Sequence, residues 1–170
     1  TGSATVLADD PRLDVRLPGA TRQPMRVVLD TGLRTPASAR ILAPPGTVLL
    51  LTVSDDAGRR AALEAAGARI ERLPAATGGL DLVAVTQHLA GLEINELLVE
   101  CGPTLAGGLL AGSLVDELVL YLAPVLLGAD ARPLARLPGI ATLADRMELS
   151  VADLRRVGGD LRITLRPARS

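Results

Sequence analysis

Several residue types are scarce or missing in this chain of 170 residues, and each absence excludes a class of function. The chain has no Phe, no Trp, one Tyr and no Lys, so every basic side chain is an arginine. Nucleic-acid binding is not expected, because the net charge is −1, the arginines form no block, and base-stacking aromatic rings are missing. One cysteine cannot form an internal disulfide, and one cysteine with one histidine cannot make the usual zinc site, so we predict no metal.

Long apolar runs are also missing. The longest runs, such as Thr47–Val53, are far shorter than the about 20 residues that a membrane-spanning helix needs. No positively charged start followed by an apolar stretch resembles a signal peptide. Together with the single cysteine, which fits a reducing compartment, these absences predict a cytoplasmic protein without a membrane partner.

The most informative feature that is present is the stretch Leu97–Leu110, where an apolar run ends in Glu100 and a glycine turn follows. A buried strand that leads into a glycine-lined helix start is a common ligand site, because the first N–H groups of a helix bind phosphate. Gly102, Gly107 and Gly108 would let a ligand approach the backbone closely. The same spacing also fits a plain strand–turn–helix connection whose glycines serve packing.

The order of predicted elements favours an α/β fold with one domain over residues 1–170, and nearly half of the residues are apolar. Strands are predicted at Arg26–Asp30, Thr47–Val53, Ala68–Leu73 and Leu97–Glu100. Helices are predicted at Pro36–Arg40, Asp55–Ala66 with Ser54 as cap, from the cap Asp81 to Gly91, and Pro103–Ala111. Strands without intervening helices are predicted at Glu117–Pro124, Met147–Val157 and Leu161–Pro167. We therefore expect a mostly parallel central sheet flanked by helices, with antiparallel C-terminal strands added at one edge.

Four segments, in order and over almost the whole chain, point to a family. They are Thr5–Leu13, then Arg26–Thr31 with Arg34–Pro36, then Val99–Gly107, and finally Leu114–Leu118 with Ala123–Pro124 and Leu127–Gly128. Their order and spacing resemble the reductase domain that forms the C-terminal half of the bifunctional bacterial riboflavin-biosynthesis enzyme. That enzyme is a diaminohydroxyphosphoribosylaminopyrimidine deaminase and 5-amino-6-(5-phosphoribosylamino)uracil reductase.

The resemblance implies a dihydrofolate-reductase-like fold and a reduction that uses NADPH. The substrate would be a phosphorylated pyrimidine whose ribosylamino group becomes a ribitylamino group. Zinc would belong to the deaminase half, which this chain lacks. The family domain begins with a strand, a loop and a helix that are not found here, so we expect an N-terminally truncated domain.

The resemblance also implies roles for particular residues. The cofactor-binding residues would be Thr5, Asp9, Thr31, Gly102, Pro103, Thr104, Leu105, Ala106, Gly107 and Gly108. The substrate-binding residues would be Leu13, Arg16 and Glu100. No catalytic side chain is assigned, because the cofactor would carry the hydride chemistry.

The residue types alone leave alternatives open at several of these positions. Arg16 offers a planar fork that matches a phosphate, but an exposed arginine also needs no ligand. Asp9 fits a polar contact or a turn cap, and Thr104 fits a phosphate donor or a helix cap. Arg34 is a further candidate to neutralise the extra phosphate of NADPH.

Two other functions are consistent with the sequence. In the first, the chain is a non-catalytic fragment that pairs with a second copy through Glu117–Pro124 and the terminal hairpin. In the second, it is an NADPH reductase of another heterocyclic substrate, since one fold supports many substrates. The expected partners are a phosphorylated pyrimidine and a second copy of the chain.

Overall fold

Three short apolar runs form a parallel sheet in the first part of the chain. The strands are β1 (Arg26–Leu29), β2 (Val48–Thr52) and β3 (Ala68–Arg72), in the order β1–β2–β3. Leu50 lies opposite Val28 on one side and opposite Ile70 on the other. The computed structural model describes residues 1–168, and the chain divides into two compact units, Thr1–Gly102 and Pro103–Ser170.

Both faces of this parallel sheet are covered, so alternate residues of β2 enter two different apolar clusters. Leu50 packs in the first cluster with Val6 of α1 (Ser3–Asp9) and Leu63 of α2 (Ala57–Ala65). Leu49 and Leu51 pack in the second cluster with Val85 and Leu89 of α3 (Leu82–Gly91). The first unit is therefore a three-layer arrangement with helices on both sides of the sheet.

Aspartate side chains cap the N-termini of the two longer helices of this unit. The Asp56 carboxylate accepts a hydrogen bond from the Arg59 N–H at 2.9 Å, and Asp81 accepts from Val83 and Ala84 at 2.9 and 3.1 Å. Each cap satisfies donors that the helix leaves without partners. A small antiparallel hairpin, β4 (Ala75–Ala76) and β5 (Gly79–Leu80), precedes α3, and a 3₁₀ turn spans Arg40–Leu42.

As far as residue 168, the second unit consists of one α-helix, an antiparallel sheet and the segments that connect them. After α4 (Pro103–Ala111) come β6 (Leu118–Leu122), β7 (Leu149–Val157) and β8 (Asp160–Pro167), in the order β6–β8–β7. A bulge interrupts the pairing of β7 and β8 between Val151 and Asp153. A 3₁₀ turn over Leu143–Asp145 lies in the long connection before β7.

Most predicted elements are confirmed, and four local predictions are wrong. Leu97–Glu100 is not a strand but an exposed segment, because no strand within residues 1–168 pairs with it and an isolated strand leaves its backbone unpaired. The C-terminal strands form a sheet of their own instead of extending the parallel sheet. Asp56 caps α2, while Ser54 accepts from the Asp56 N–H. Pro36–Arg40, predicted to be a helix, forms turns instead.

Candidate functional site

The loop that follows β1 is shaped by a buried carboxylate. Asp30 has no exposed surface, and its two oxygens accept hydrogen bonds from the N–H groups of Arg34 at 2.9 Å and Thr35 at 2.7 Å. These bonds turn the chain sharply at the carboxyl end of the strand, where ligands bind in open α/β sheets. The loop 31–35 is thereby held in one conformation at the ligand-accessible edge of the sheet.

Thr31 is exposed at the start of this loop, as a ligand contact requires. Its carbonyl accepts a hydrogen bond from the hydroxyl of Thr52, the buried last residue of β2, at 3.1 Å. Its own hydroxyl lies close to Gly79, where an added Cβ would be 3.0 Å away. Gly79 has a φ of +149°, so this close approach and the backbone conformation both favour glycine there.

Thr5 and Gly102 are far apart in the sequence but come together in the fold. The Thr5 hydroxyl oxygen lies 3.9 Å from the position that a Cβ of Gly102 would take. Glu100 and Cys101 lie near the amino group of Thr1, whose pKa is lowered mainly by burial, while these two neighbours oppose the shift. The structure thus brings Glu100, Gly102 and Thr5 to one region of the first unit.

Arg16 and Leu13 lie on the irregular segment after α1. Leu13 is half-buried with a φ of +49°, and its side chain packs against the first apolar cluster. The Arg16 side chain is 78% exposed, with its Nε 3.6 Å from a carboxylate oxygen of Asp14. The hydrogen bond from the Arg12 Nε holds the pKa of the Asp14 carboxyl below its ordinary value. Asp14 therefore stays charged beside an arginine fork that faces solvent.

Asp9 and Asp10 have different surroundings at the end of α1. Asp9 is the exposed last residue of the helix, and Asp10 adopts a left-handed conformation with a φ of +42°. The Asp10 carboxylate accepts a hydrogen bond from the Arg40 N–H at 2.8 Å. The structural role at this turn therefore belongs to Asp10, and Asp9 is left accessible to a ligand.

The start of α4 lies in the second unit, where the predicted phosphate-binding residues Pro103–Gly108 form its first turns. Thr104 is exposed, and Pro103 accepts a hydrogen bond from the Arg136 N–H at 2.9 Å. An added Cβ at Gly107 would lie 1.8 Å from the Arg136 carbonyl oxygen. Gly107 is buried, so its missing side chain is required by packing within this unit.

One residue beside the loop 31–35 was missed by the sequence reasoning. Arg59 of α2 donates from Nη1 to the Gly32 carbonyl at 3.0 Å and holds Asp56 at 3.4 Å through Nε. Nothing in the local sequence signals that α2 returns to this loop, since 27 positions separate the two residues. The guanidinium of Arg59 therefore joins that of Arg34 at the same edge of the sheet.

Along residues 1–168, no helix combines the length and the apolar character that a membrane span needs. The same described part of the chain contains no group of three or more His, Cys, Asp or Glu side chains placed to hold a metal ion. The Nε2 of His88 in α3 lies 2.9 Å from a carboxylate oxygen of Glu71.

The layered first unit, with its loop edge, and the antiparallel C-terminal strands define a reductase-type α/β fold of the dihydrofolate-reductase class. Residues 1–163 match the model of the RibD C-terminal domain, and the chain belongs to that family. The fold and family expected from the four sequence segments are thereby confirmed.

Three relatives illustrate the relationship. The riboflavin biosynthesis protein RibD of Escherichia coli strain K12 is 42% identical over 95% of this chain and 46% of its own length. The 2,5-diamino-6-ribosylamino-4(3H)-pyrimidinone 5′-phosphate reductase of Methanothermobacter thermautotrophicus is 39% identical over 94% of this chain and 74% of its own. The structure of Acinetobacter baumannii RibD superposes with a TM-score of 0.82 at 31% identity, over 98% of this chain and 46% of that one. The chain thus spans about half the length of the RibD proteins it matches.

Proposed function

We propose that this chain binds NADPH and reduces 5-amino-6-(5-phosphoribosylamino)uracil to the 5-phosphoribitylamino product in riboflavin biosynthesis. The observation that carries the proposal is the match of residues 1–163 to the RibD C-terminal domain. Two relatives are matched over most of their own length, and both are named as reductases of phosphorylated pyrimidines. The chemistry of the accessible side chains is consistent with that substrate class.

The residues at the loop edge fit a dinucleotide. Gly102 leaves space next to the Thr5 hydroxyl, and an added Cβ would have that oxygen at 3.9 Å. We assign cofactor contacts in the first unit to Thr5, Asp9, Thr31 and Gly102. In the second unit we assign them to the helix start, residues 103–108, whose first N–H groups lack partners within the helix and suit a diphosphate. Bound NADPH would supply the hydride for C1′ of the opened ribose.

The chain itself contributes binding and orientation to this reaction. Arg16 presents its guanidinium fork to solvent and is assigned to the substrate phosphate. Glu100 is exposed and is assigned as an acceptor for polar groups of the pyrimidine, and Leu13 as a contact beside them. No side chain is required as a nucleophile, because hydride transfer forms no covalent bond between protein and substrate.

We also propose that residues 1–170 act as one reductase domain and that two copies associate in the cytoplasm. The exposed apolar side chains of the second unit support association. Tyr121, Leu122, Val151 and Leu154 are each more than half exposed. Size-exclusion chromatography with light scattering tests the dimer, and a monomer at micromolar concentration would contradict it.

The enzymatic proposal is tested by following NADPH oxidation with the phosphoribosylamino-uracil as substrate. Arg16→Ala should raise KM about 10- to 100-fold with a smaller effect on kcat, because it removes charged hydrogen bonds to a phosphate remote from the reacting carbon. Arg22→Ala, which removes an arginine from the same exposed region, serves as the matched control and should keep the wild-type KM. Absence of turnover by the wild-type chain, or an unchanged KM in the Arg16 variant, would contradict the proposal.

A second substrate is favoured by one finding. The 39% identical relative from Methanothermobacter thermautotrophicus is named as a reductase of 2,5-diamino-6-ribosylamino-4(3H)-pyrimidinone 5′-phosphate, which carries an amino group at ring position 2 that the uracil derivative does not have. Comparing kcat/KM for this compound and for the uracil derivative decides between the two heterocycles. A ratio above about tenfold in either direction, equal to about 1.4 kcal/mol, identifies the preferred substrate.

A further inference from the structure

Two arginines flank one aspartate in the segment after α1, which reads Arg12-Leu13-Asp14-Val15-Arg16. The Asp14 side chain is 7% exposed and lies against both guanidinium groups. The Arg12 Nε donates a hydrogen bond to one carboxylate oxygen at 2.8 Å, and the Arg16 Nε lies 3.6 Å from the other. Asp14 therefore faces the Nε of each arginine, and the Nη donors at the ends of the two side chains are left for another partner.

The backbone of this segment is held on both sides of Asp14. Leu13 has a φ of +49°, a conformation that leucine rarely adopts, and its side chain packs against the first apolar cluster. On the other side, the Gln23 amide bonds both backbone groups of Val15, since its Oε1 accepts from the N–H and its Nε2 donates to the carbonyl, each at 2.9 Å. These anchors give the charged side chains between and beside them defined positions, as a site for an oriented ligand requires.

One oxygen of the Asp14 carboxylate is buried without a hydrogen bond. Its Oδ1 has no partner among residues 1–168, because the Arg16 Nε at 3.6 Å is beyond hydrogen-bonding distance. A buried polar atom without a partner is costly and calls for an explanation. A ligand that binds Arg12 and Arg16 together would draw Arg16 toward Asp14, and a movement of about 1 Å would complete the missing bond.

The charge around Asp14 is positive overall and favours an anion. Arg26 is 3% exposed, and its pKa is lowered mainly by burial, while the nearby Asp14 opposes that shift. The Arg26 guanidinium donates to three carbonyl oxygens of residues 43–46, so it contributes charge but is occupied by the loop. Arg12 and Arg16, with side chains 35% and 78% exposed, are open to solvent. Two such forks beside an excess of positive charge suit a phosphate monoester.

We infer that Arg12 is a second binding residue for the substrate phosphate, beside Arg16, and that Asp14 is a positioning residue that orients the Arg16 guanidinium. The inference rests on the proposed function for the identity of the phosphorylated ligand. It adds Arg12 and Asp14 to the substrate contacts assigned above. The phosphate is remote from the carbon that accepts the hydride, so these residues contribute to binding and not to the transfer itself.

The test measures dissociation constants of ribose 5-phosphate and NADPH, by NMR titration, for the full chain and for Arg12→Gln and Asp14→Asn. Arg12→Gln should weaken ribose 5-phosphate about 10-fold, because it removes charged hydrogen bonds to the phosphate. Asp14→Asn should weaken it about 3- to 10-fold although it removes a negative charge, because the Arg16 fork is no longer preorganised. Both variants should bind NADPH within about twofold of the wild type. Arg22→Gln, which removes an exposed arginine outside this cluster, is the matched control.

A double variant separates positioning from a purely structural role of Asp14. When residue 16 is already changed by Arg16→Gln, Asp14→Asn should weaken ribose 5-phosphate by no more than about twofold, because the fork that it orients is gone. An equal loss in both backgrounds would assign Asp14 a structural role and overturn its part of the inference. Thermal melts identify any variant that has lost its fold, and Arg12→Gln, at a partly exposed side chain, tests the second binding residue if Asp14→Asn does not fold.

The inference and the proposed function can fail separately. Binding of ribose 5-phosphate that is weakened in Arg12→Gln and kept in Arg22→Gln supports the inference, even if the chain shows no turnover and the proposed reaction fails. Turnover with an unchanged KM in Arg12→Gln and Asp14→Asn overturns the inference, while the proposed function stands. It is also overturned if the wild type does not bind ribose 5-phosphate, if Asp14→Asn binds it more tightly, or if NADPH affinity is lost in its place.

Discussion

The two larger sheets of this protein use apolar residues in different ways. All five residues of β2 in the parallel sheet are buried, whereas no residue of β6 in the antiparallel sheet is buried. Leu49 and Leu50 on adjacent positions of β2 are almost completely covered, while Val151 and Leu154 of β7 are 64% and 58% exposed. Both large apolar clusters consist of residues of the first unit.

The difference follows from the connections between strands. Parallel strands need crossover connections, and the helices in those connections cover both faces of the sheet. β7 and β8 are joined instead by the tight turn at Gly158–Gly159, which requires no helix. Strands of both sheets are rich in apolar residues. Only in the parallel sheet do the helices that connect the strands also bury those residues.

The largest expected effect compares one apolar strand residue of each sheet. Leu50→Ala should lower the free energy of unfolding by about 2–5 kcal/mol, because it leaves a cavity among fully buried side chains. Val151→Ala on the exposed strand should change it by less than about 0.5 kcal/mol. Urea denaturation of both variants measures the contrast, and equal losses would show that β7 is covered in solution.

A close backbone contact distinguishes the second unit. Gly107→Ala should destabilise the protein by about 1–3 kcal/mol, because the new methyl group would meet the Arg136 carbonyl oxygen at 1.8 Å. Gly91→Ala at the end of α3 is the control, since nothing lies within 4 Å of its added Cβ and alanine favours a helix. Chemical denaturation in which the two variants behave alike would contradict the contact between α4 and Arg136.

A smaller effect is expected at the helix that covers the second face of the parallel sheet. Asp81→Ala should cost about 1 kcal/mol, because the carboxylate accepts from two N–H groups at the start of α3. Asp55→Ala removes an exposed carboxylate beside the α2 cap without removing the cap itself and should be nearly neutral. Thermal unfolding of the pair measures this difference, and a neutral Asp81 variant would show that α3 is held by packing alone.

The smallest effect concerns pH and the segment that carries Arg16. The pKa of Asp14 is lowered by the hydrogen bond from Arg12, so its contribution to stability is present above the ordinary carboxylate range. That contribution is lost as the pH falls through the lowered folded value, where the carboxyl becomes protonated. An NMR titration of the Asp14 carboxyl should show a higher pKa in Arg12→Gln than in the wild type. No movement in the variant would exclude the Arg12 hydrogen bond as the cause.

The parts of the fold that could be predicted are those specified by local patterns. The continuous apolar runs of β1 and β2, the cap at Asp81 and the glycine turn at Gly158 each act within a few residues. The run Leu97–Val99 has the same local pattern but remains exposed, because strand formation also needs a neighbouring strand. Pattern reasoning cannot report whether that neighbour is present.

The candidate site was predictable to a different degree. The resemblance implies the glycine turn and Thr31 as cofactor contacts by their positions, and these remain predictions. The proximity of Thr5 to Gly102 depends on tertiary folding. No local sequence pattern places Arg59 at this loop, because the contact with the Gly32 carbonyl forms only when α2 packs beside the loop. Gly107 also packs closely against the Arg136 carbonyl oxygen, a contact that no local pattern specifies.

The buried carboxylate of Asp30 has a consequence for how this protein can change over evolutionary time. Its oxygens receive backbone N–H groups, which every residue except proline provides, so the path of the loop does not depend on the side chains at positions 34 and 35. Position 34 is exposed, so substitutions there can change the side chain that the loop presents to solvent while the loop keeps its shape. Exchanging that side chain is therefore a practical way to alter the surface at this edge of the sheet without redesigning the scaffold.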